Sequence, residues 1–172
     1  MIQDKKVIIA IPIYRDLREE EIVALDNNLE ILRNYPTVLI KPTGLNTNAL
    51  KERYPQVGEI EVSNQWLGTI NGIMGYNEMM TSPDFYSLFN DYEYLLICQT
   101  DVWIFRDDLM KWIDMGIDLV GAPWPNRNMY LHFPMKQYLQ LKVKLKPDNK
   151  NLHCHMFGSI GNGGFCMRKV EQ

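Results

Sequence analysis

The run Val7-Ile8-Ile9-Ala10-Ile11, closed by Pro12, constrains this chain most. A mostly β-branched stretch with no polar alternation is the pattern of a strand covered on both faces, and such strands sit in parallel sheets with helices on each side. The chain must therefore supply helices for two faces and further apolar strands to flank this one. From Arg18 to Asn34, Ile22, Leu25, Leu29 and Leu32 recur at three- and four-residue spacing behind Glu19, Glu20 and Glu21, which favour a helix N-terminus. Thr37-Val38-Leu39-Ile40 reads as a second strand ended by Pro42, Ala49 to Tyr54 as a short helix, and Ile60-Glu61-Val62 as a third strand.

Gly68 to Ser82 has helical spacing through Ile70, Ile73, Tyr76 and Met79, yet it contains Gly72 and Gly75. Each glycine costs up to about 1 kcal/mol against alanine in a helix, so another element or a ligand must approach closely there. Pro83 opens a further helical stretch through Phe85, Leu88 and Phe89, and Tyr94-Leu95-Leu96-Ile97-Cys98 is the clearest buried strand. A short helix over Asp107 to Met115 and a strand over Asp118 to Gly121 follow, leading to Pro123-Trp124-Pro125. Beyond lie a helix around Met135 to Leu141, a lysine-rich exposed stretch, a glycine-dense turn from Gly158 to Gly164, and a strand over Phe165 to Arg168. This alternation predicts an α/β fold: a single Rossmann-like domain over residues 1–172, with a mostly parallel central sheet flanked by helices. The sequence stops four residues after Arg168, so a final helix that would pack on that strand, and with it a C-terminal portion, is expected to be missing.

Composition narrows the function. With 172 residues and 46% hydrophobic content the chain can bury a core without a disulfide or structural zinc. Eighteen Lys and Arg against 21 Asp and Glu, with no long basic block, make nucleic acid an unfavourable partner. Cys98, Cys154 and Cys166 form no C-x-x-C pair and read as small buried side chains in a reducing compartment. The longest apolar run, Val7 to Ile13, is too short for a transmembrane segment. A cytoplasmic location is expected, with peripheral association at the inner face of a membrane compatible with it.

Chemistry concentrates where strands end. Gln99-Thr100-Asp101 follows a buried strand directly, and in open α/β sheets ligands bind at the carboxyl ends of strands. The Asp101 carboxylate either holds Mg²⁺ or Mn²⁺, which take oxygen ligands and draw others from phosphate and water, or caps a turn. Gly161-Asn162-Gly163-Gly164 either lets a ligand come close or is structural; it matches neither a P-loop nor a dinucleotide fingerprint. His153 and His155 lie one residue apart, and one of them is a candidate third ligand beside Asp101; a polar loop is the alternative. Trp124 offers a flat face to a sugar or base, or fills core. Tyr14 and Arg15, just past the first strand, are placed to hold a base and a phosphate, although Arg15 can equally pair with an acid. Asn77 beside Tyr76 is unusual inside a helix.

Several stretches occur together and in order: Ile11-Pro12-Ile13-Tyr14, Gly75-Tyr76-Asn77-Glu78-Met79-Met80, Phe85-Tyr86, Gln99-Thr100-Asp101-Val102-Trp103-Ile104-Phe105, Gly121-Ala122-Pro123-Trp124 and Gly161-Asn162-Gly163-Gly164-Phe165-Cys166-Met167-Arg168. In these the chain resembles a family of glycosyltransferase-like proteins, long known only as a domain of unknown function, that is itself similar to the GT-A class of nucleotide-sugar-dependent enzymes. The resemblance implies a sugar moved from a nucleotide-diphosphate donor to a glycan or lipid-linked acceptor, assisted by Mn²⁺ or Mg²⁺. It places the stretch of Pro12, Tyr14 and Arg15 against the nucleoside, Gln99, Thr100 and Asp101 at the metal and diphosphate, and Asn162, Gly163 and Gly164 beside the acceptor; by their own chemistry Tyr76 and Asn77 are donor candidates, Trp124 an acceptor candidate, and His155 a candidate further metal ligand and base. Many GT-A enzymes carry Asp-x-Asp at the metal; here Gln99 stands at the first position, leaving one anionic ligand. A non-catalytic nucleotide-sugar or glycan-binding module of the same fold is the competing expectation.

Overall fold

The computed structural model describes residues 6–68, 70–123, 132–145 and 160–170. The chain divides into two compact units, one of Met1–Val120 with Gly163–Gln172 and one of Gly121–Asn162. The element order is β1 (Val7–Pro12), α1 (Glu19–Ile31), β2 (Thr37–Pro42), α2 (Asn48–Arg53), β3 (Gly58–Val62), α3 (Gly72–Thr81), α4 (Pro83–Ser87), β4 (Tyr94–Cys98), α5 (Leu109–Ile113), β5 (Leu119–Pro123), α6 (Met135–Leu145) and β6 (Ile160–Lys169). Mixed α/β architecture with one six-stranded, mostly parallel sheet results, in the order β3-β2-β1-β4-β6-β5.

Strand β1 is central and pairs in parallel with β2 (Ile9 opposite Thr37) and with β4 (Val7 opposite Tyr94). Its alternate residues serve two cores. Val7, Ile9 and Ile11 face one way, with Leu25 and Leu32 of the α1 region, Leu109 and Ile113 of α5, and Leu96 and Cys98 of β4. Ile8 and Ala10 face the other way, with Met79 and Met80 of α3, Phe85, Phe89, Leu95 and Ile97. This two-sided burial is why β1 and β4 carry no polar residue: each face of the pleat meets a helix layer. Phe85 organises the second layer, meeting Trp66, Tyr86 and Phe89 edge to face. Cys98 and Cys166 are buried, unpaired thiols, as expected for small core side chains.

Two local expectations change. The glycine-dense segment is not a turn where it is described: β6 already runs from Ile160, and its Phe165 pairs antiparallel with Cys98. The ladder continues past the pair, the Gln99 amide donating to the Gly164 carbonyl at 2.8 Å, and this pairing extends the glycines as strand. Helix α3 begins at Gly72 rather than Gly68, because Gly68 has φ +141 and breaks the helical path. Ile70 and Ile73, two of the residues that carry the helical spacing, are 68% and 79% exposed; the helix turns Gly75, Met79 and Met80 inward. Gly75 meets the close neighbour its presence called for. A Cβ there would lie 2.0 Å from the Gln65 carbonyl oxygen and 3.0 Å from that of Trp66, so the neighbour is backbone and not a ligand.

Candidate functional site

Parallel neighbours end on the same edge of a sheet, so β1 and β4 deliver their C-terminal residues to one crevice. There β1 runs into Ile13, Tyr14 and Arg15, and β4 into Gln99, Thr100 and Asp101; Leu67, Gly68, Gly72, Ile73 and Tyr76 form the opposite wall. The cleft has a volume of about 470 Å³. Of the residues expected around a donor, Pro12, Tyr14, Arg15, Tyr76, Gln99 and Thr100 all line it, together with Asp101. Asn77 does not. One residue past Tyr76 is 100° further round α3, and Asn77 faces solvent there.

The floor holds a residue the sequence reading had treated only as helix-terminal charge. Glu21 is 7% exposed and accepts from Arg15 twice, Nη1 to Oε2 at 2.8 Å and Nη2 to Oε1 at 2.9 Å. It also accepts from the Arg18 amide at 2.8 Å and from the Thr100 hydroxyl at 3.0 Å. The paired guanidinium, aided by the amide and hydroxyl, outweighs burial and holds the carboxyl at about 2, below its ordinary value. Arg15 is thus held by an acid, its own pKa raised by the same bonds, and its guanidinium lies 5.5 Å from the Tyr14 ring centroid. The sequence signal was available: Glu21 stands three residues after the helix N-cap, where a carboxylate reaches back to the cap's amide.

The segment after β4 is pinned from α1. Asn28 is buried; its Nδ2 donates to the Val102 carbonyl at 2.7 Å and its Oδ1 accepts from the Ile104 amide at 2.9 Å. Asn27 Nδ2 donates to the Ile104 carbonyl at 2.8 Å. A backbone turn closes from the Val102 amide to the Gln99 carbonyl at 3.1 Å. Asp101 projects from this turn, exposed, and among the described residues its carboxylate takes no hydrogen bond or ion pair. The turn is therefore made by backbone and by Asn28, and the carboxylate is left to the cleft. Its charge reaches inward: Cys98 is pushed up to about 12, mainly by burial and secondarily by Asp101.

Tyr76 links the cleft to β6. Its hydroxyl donates to the Gly163 carbonyl at 3.1 Å, with the Gln99 amide group against the same phenol. Burial raises its pKa to about 12, so it stays a donor at neutral pH. Gly163 and Gly164 hence border the cleft wall formed by Tyr76 and Gln99. Trp124, His153 and His155 lie outside the described residues, as do the surroundings of the Asn162 side chain. Among the described residues no group of three His, Cys, Asp or Glu converges as a metal cage. No helix among them is long and apolar enough to cross a membrane.

A family model described as "Protein of unknown function (DUF5672)" matches residues 59–172. The chain belongs to that family. The match takes in α3, the Gln99-Thr100-Asp101 turn and β6, and begins after the Tyr14, Arg15 and Glu21 side of the cleft. A comparison with curated protein sequences gave no match. Among solved structures, this chain is similar to a mycobacterial protein at TM-score 0.48 and 11% identity, with 97% of this chain and 54% of that one covered. It is similar to glucosyl-3-phosphoglycerate synthase from Mycobacterium tuberculosis in complex with uridine diphosphate at TM-score 0.47 and 11% identity, covering 97% of this chain and 57% of the other. The chain spans a little over half the length of each.

Proposed function

We propose that the cleft receives the diphosphate end of a nucleotide sugar and that the protein is a glycosyltransferase acting on a glycan or lipid-linked acceptor. The observation that carries this reading is the Asp101 carboxylate, unpaired among the described residues, in one crevice with the Tyr14 ring and the Arg15 guanidinium at the carboxyl ends of β1 and β4. The charge balance supports a metal-assisted donor. Arg15 faces two carboxylates, Glu21 and Asp101, so the cleft carries a net charge of −1 and opposes a bare diphosphate.

Asp101 fits a hard cation as a single exposed oxygen ligand, with phosphate and water completing the sphere. When bound, Mn²⁺ or Mg²⁺ would neutralise the leaving diphosphate as a Lewis acid. The chain's own residues do the positioning. Tyr14 gives a face for the nucleoside base, while Glu21 holds Arg15 and Thr100 in fixed orientation along the diphosphate path. In this reading Asn162, Gly163, Gly164 and Trp124 are the candidate acceptor residues, and His155 is the candidate further metal ligand and base for the acceptor proton.

The alternative, a nucleotide-sugar or glycan-binding module without transfer, is favoured by Gln99 standing where a second carboxylate would strengthen the metal site. Incubation with a panel of nucleotide sugars and Mn²⁺ separates the two. A transferase releases nucleoside diphosphate from one donor, at a rate at least tenfold lower in Asp101→Asn; a binding module takes up the donor and releases nothing.

A further inference from the structure

A second cavity, of about 510 Å³, lies at the other end of α3 and β4, lined in part by Met80, Tyr86, Leu119 and Arg168. Gly72 at the cleft and Thr81 at this cavity are separated by about 14 Å along the helix axis, at 1.5 Å per residue. No described residue lines both cavities.

Arg168 is the unusual group. Its Nη1 donates to the Met80 carbonyl at 2.9 Å and to the Tyr86 hydroxyl at 2.7 Å, which fixes the guanidinium plane. Its Nε is buried without a hydrogen-bond partner, and among the described residues Nη2 has none. The titratable groups acting on it are a thiol and a phenol, Cys166 and Tyr86. Among the described residues Asp118 is the one carboxylate on the cavity wall, and it forms no ion pair with Arg168. Arg15, by contrast, has Glu21.

A partly buried guanidinium without a counter-charge is unfavourable, and unpaired buried donors add to the cost. Nε is buried out of a ligand's reach, so the donor left for a carboxylate or phosphate oxygen is Nη2. With Lys169 also on the wall against Asp118, the cavity carries a net charge of +1. We propose that this cavity is an anion-binding site in which Arg168 takes the carboxylate or phosphate group of a small molecule, with Lys169 adding positive charge. The cavity is several times larger than an inorganic oxyanion, so the anionic group belongs to a larger ligand.

The test follows the arginine side-chain Nε–H resonances of the whole chain by NMR while inorganic phosphate or malonate is added, with chloride at equal ionic strength as reference. The Arg168 resonance should move and saturate with one of the two, and the identity of that anion names the ligand as phosphoryl or carboxylate. Calorimetric affinity for the same anion should fall at least tenfold in Arg168→Lys, which keeps the charge and loses the Nη2 donor, and stay unchanged in Arg33→Lys, at an exposed arginine that lines neither cavity. A resonance that does not move, a shift that rises linearly as it does with chloride, or equal affinity in Arg168→Lys would overturn the proposal.

Discussion

The cleft and the second cavity are similar in volume, about 470 and 510 Å³, and share α3 as a wall, yet their charges are set in opposite ways. In the cleft the cation is answered twice over, Arg15 being bonded to Glu21 while Asp101 stands unpaired among the described residues. In the cavity the guanidinium has a carbonyl, a phenol and the Cys166 thiol, and among the described residues no carboxylate paired to it. Size alone would assign both to the same kind of ligand. Counting which charges are already paired separates them: the cleft asks for a cation carried in with an anion, the cavity for an anion by itself.

The largest expected effect comes from disturbing the wall that the two sites share. Gly75→Ala places a Cβ 2.0 Å from a backbone oxygen of Gln65, and neither helix nor loop has a flexible side chain to yield. A loss of about 3 kcal/mol is expected, lowering the melting temperature by roughly 10 °C. Because the clash lies at the cleft end of α3, calorimetry should show nucleotide affinity falling more than anion affinity at Arg168; equal losses would mean the two sites are not separate.

A smaller effect sharpens the electrostatic contrast. Glu21→Gln removes one cleft carboxylate and leaves Arg15 as unanswered as Arg168. Stability should fall by about 2 kcal/mol, the scale of lost hydrogen bonds to a charged group. Metal-free nucleoside diphosphate should bind more tightly than to the wild type. The pH dependence has a fixed sign. The folded pKa of Glu21 is lowered to about 2 from 4.5, so its contribution is complete above about pH 4.5 and is lost as pH falls toward 2. Urea unfolding between about pH 6 and about pH 2 should show this loss in the wild type and a shallower slope in the variant. Parallel slopes would remove Glu21 from the account.

The least costly change tests the tie between the cleft and β6. Tyr76→Phe deletes the bond to Gly163 and should cost about 1 kcal/mol. Exchange of the Gln99 amide, which donates to Gly164, should then quicken roughly fivefold, and unchanged protection would show that Tyr76 does not hold the strand.

Much of this was legible because it follows from the local apolar pattern. The unbroken apolar runs Val7 to Pro12 and Tyr94 to Cys98, buried on both faces, set the sheet, and two parallel neighbours brought Tyr14, Arg15 and Asp101 to one edge. What escaped were properties of tertiary partners. Gly163 and Gly164 read as a turn because glycine is locally permissive, but β4 supplies a ladder that extends them. Ile73 has the helical spacing of a core residue, yet the Gln65–Trp66 backbone seats α3 on Gly75 and turns Ile73 outward. Asn28, which fixes the segment after Asp101, looked like one polar residue on an amphipathic helix. Its partners lie more than 70 positions away.

The central claim concerns a cation bridging Asp101 and a diphosphate. Calorimetric titration of the wild type and of Asp101→Ala with a panel of nucleoside diphosphates, each with and without Mn²⁺, tests it directly. The account predicts micromolar binding of at least one nucleoside diphosphate that requires Mn²⁺ and weakens about 100-fold in the variant, equivalent to about 2.7 kcal/mol. Binding of equal strength without the metal, or undiminished in Asp101→Ala, would contradict it.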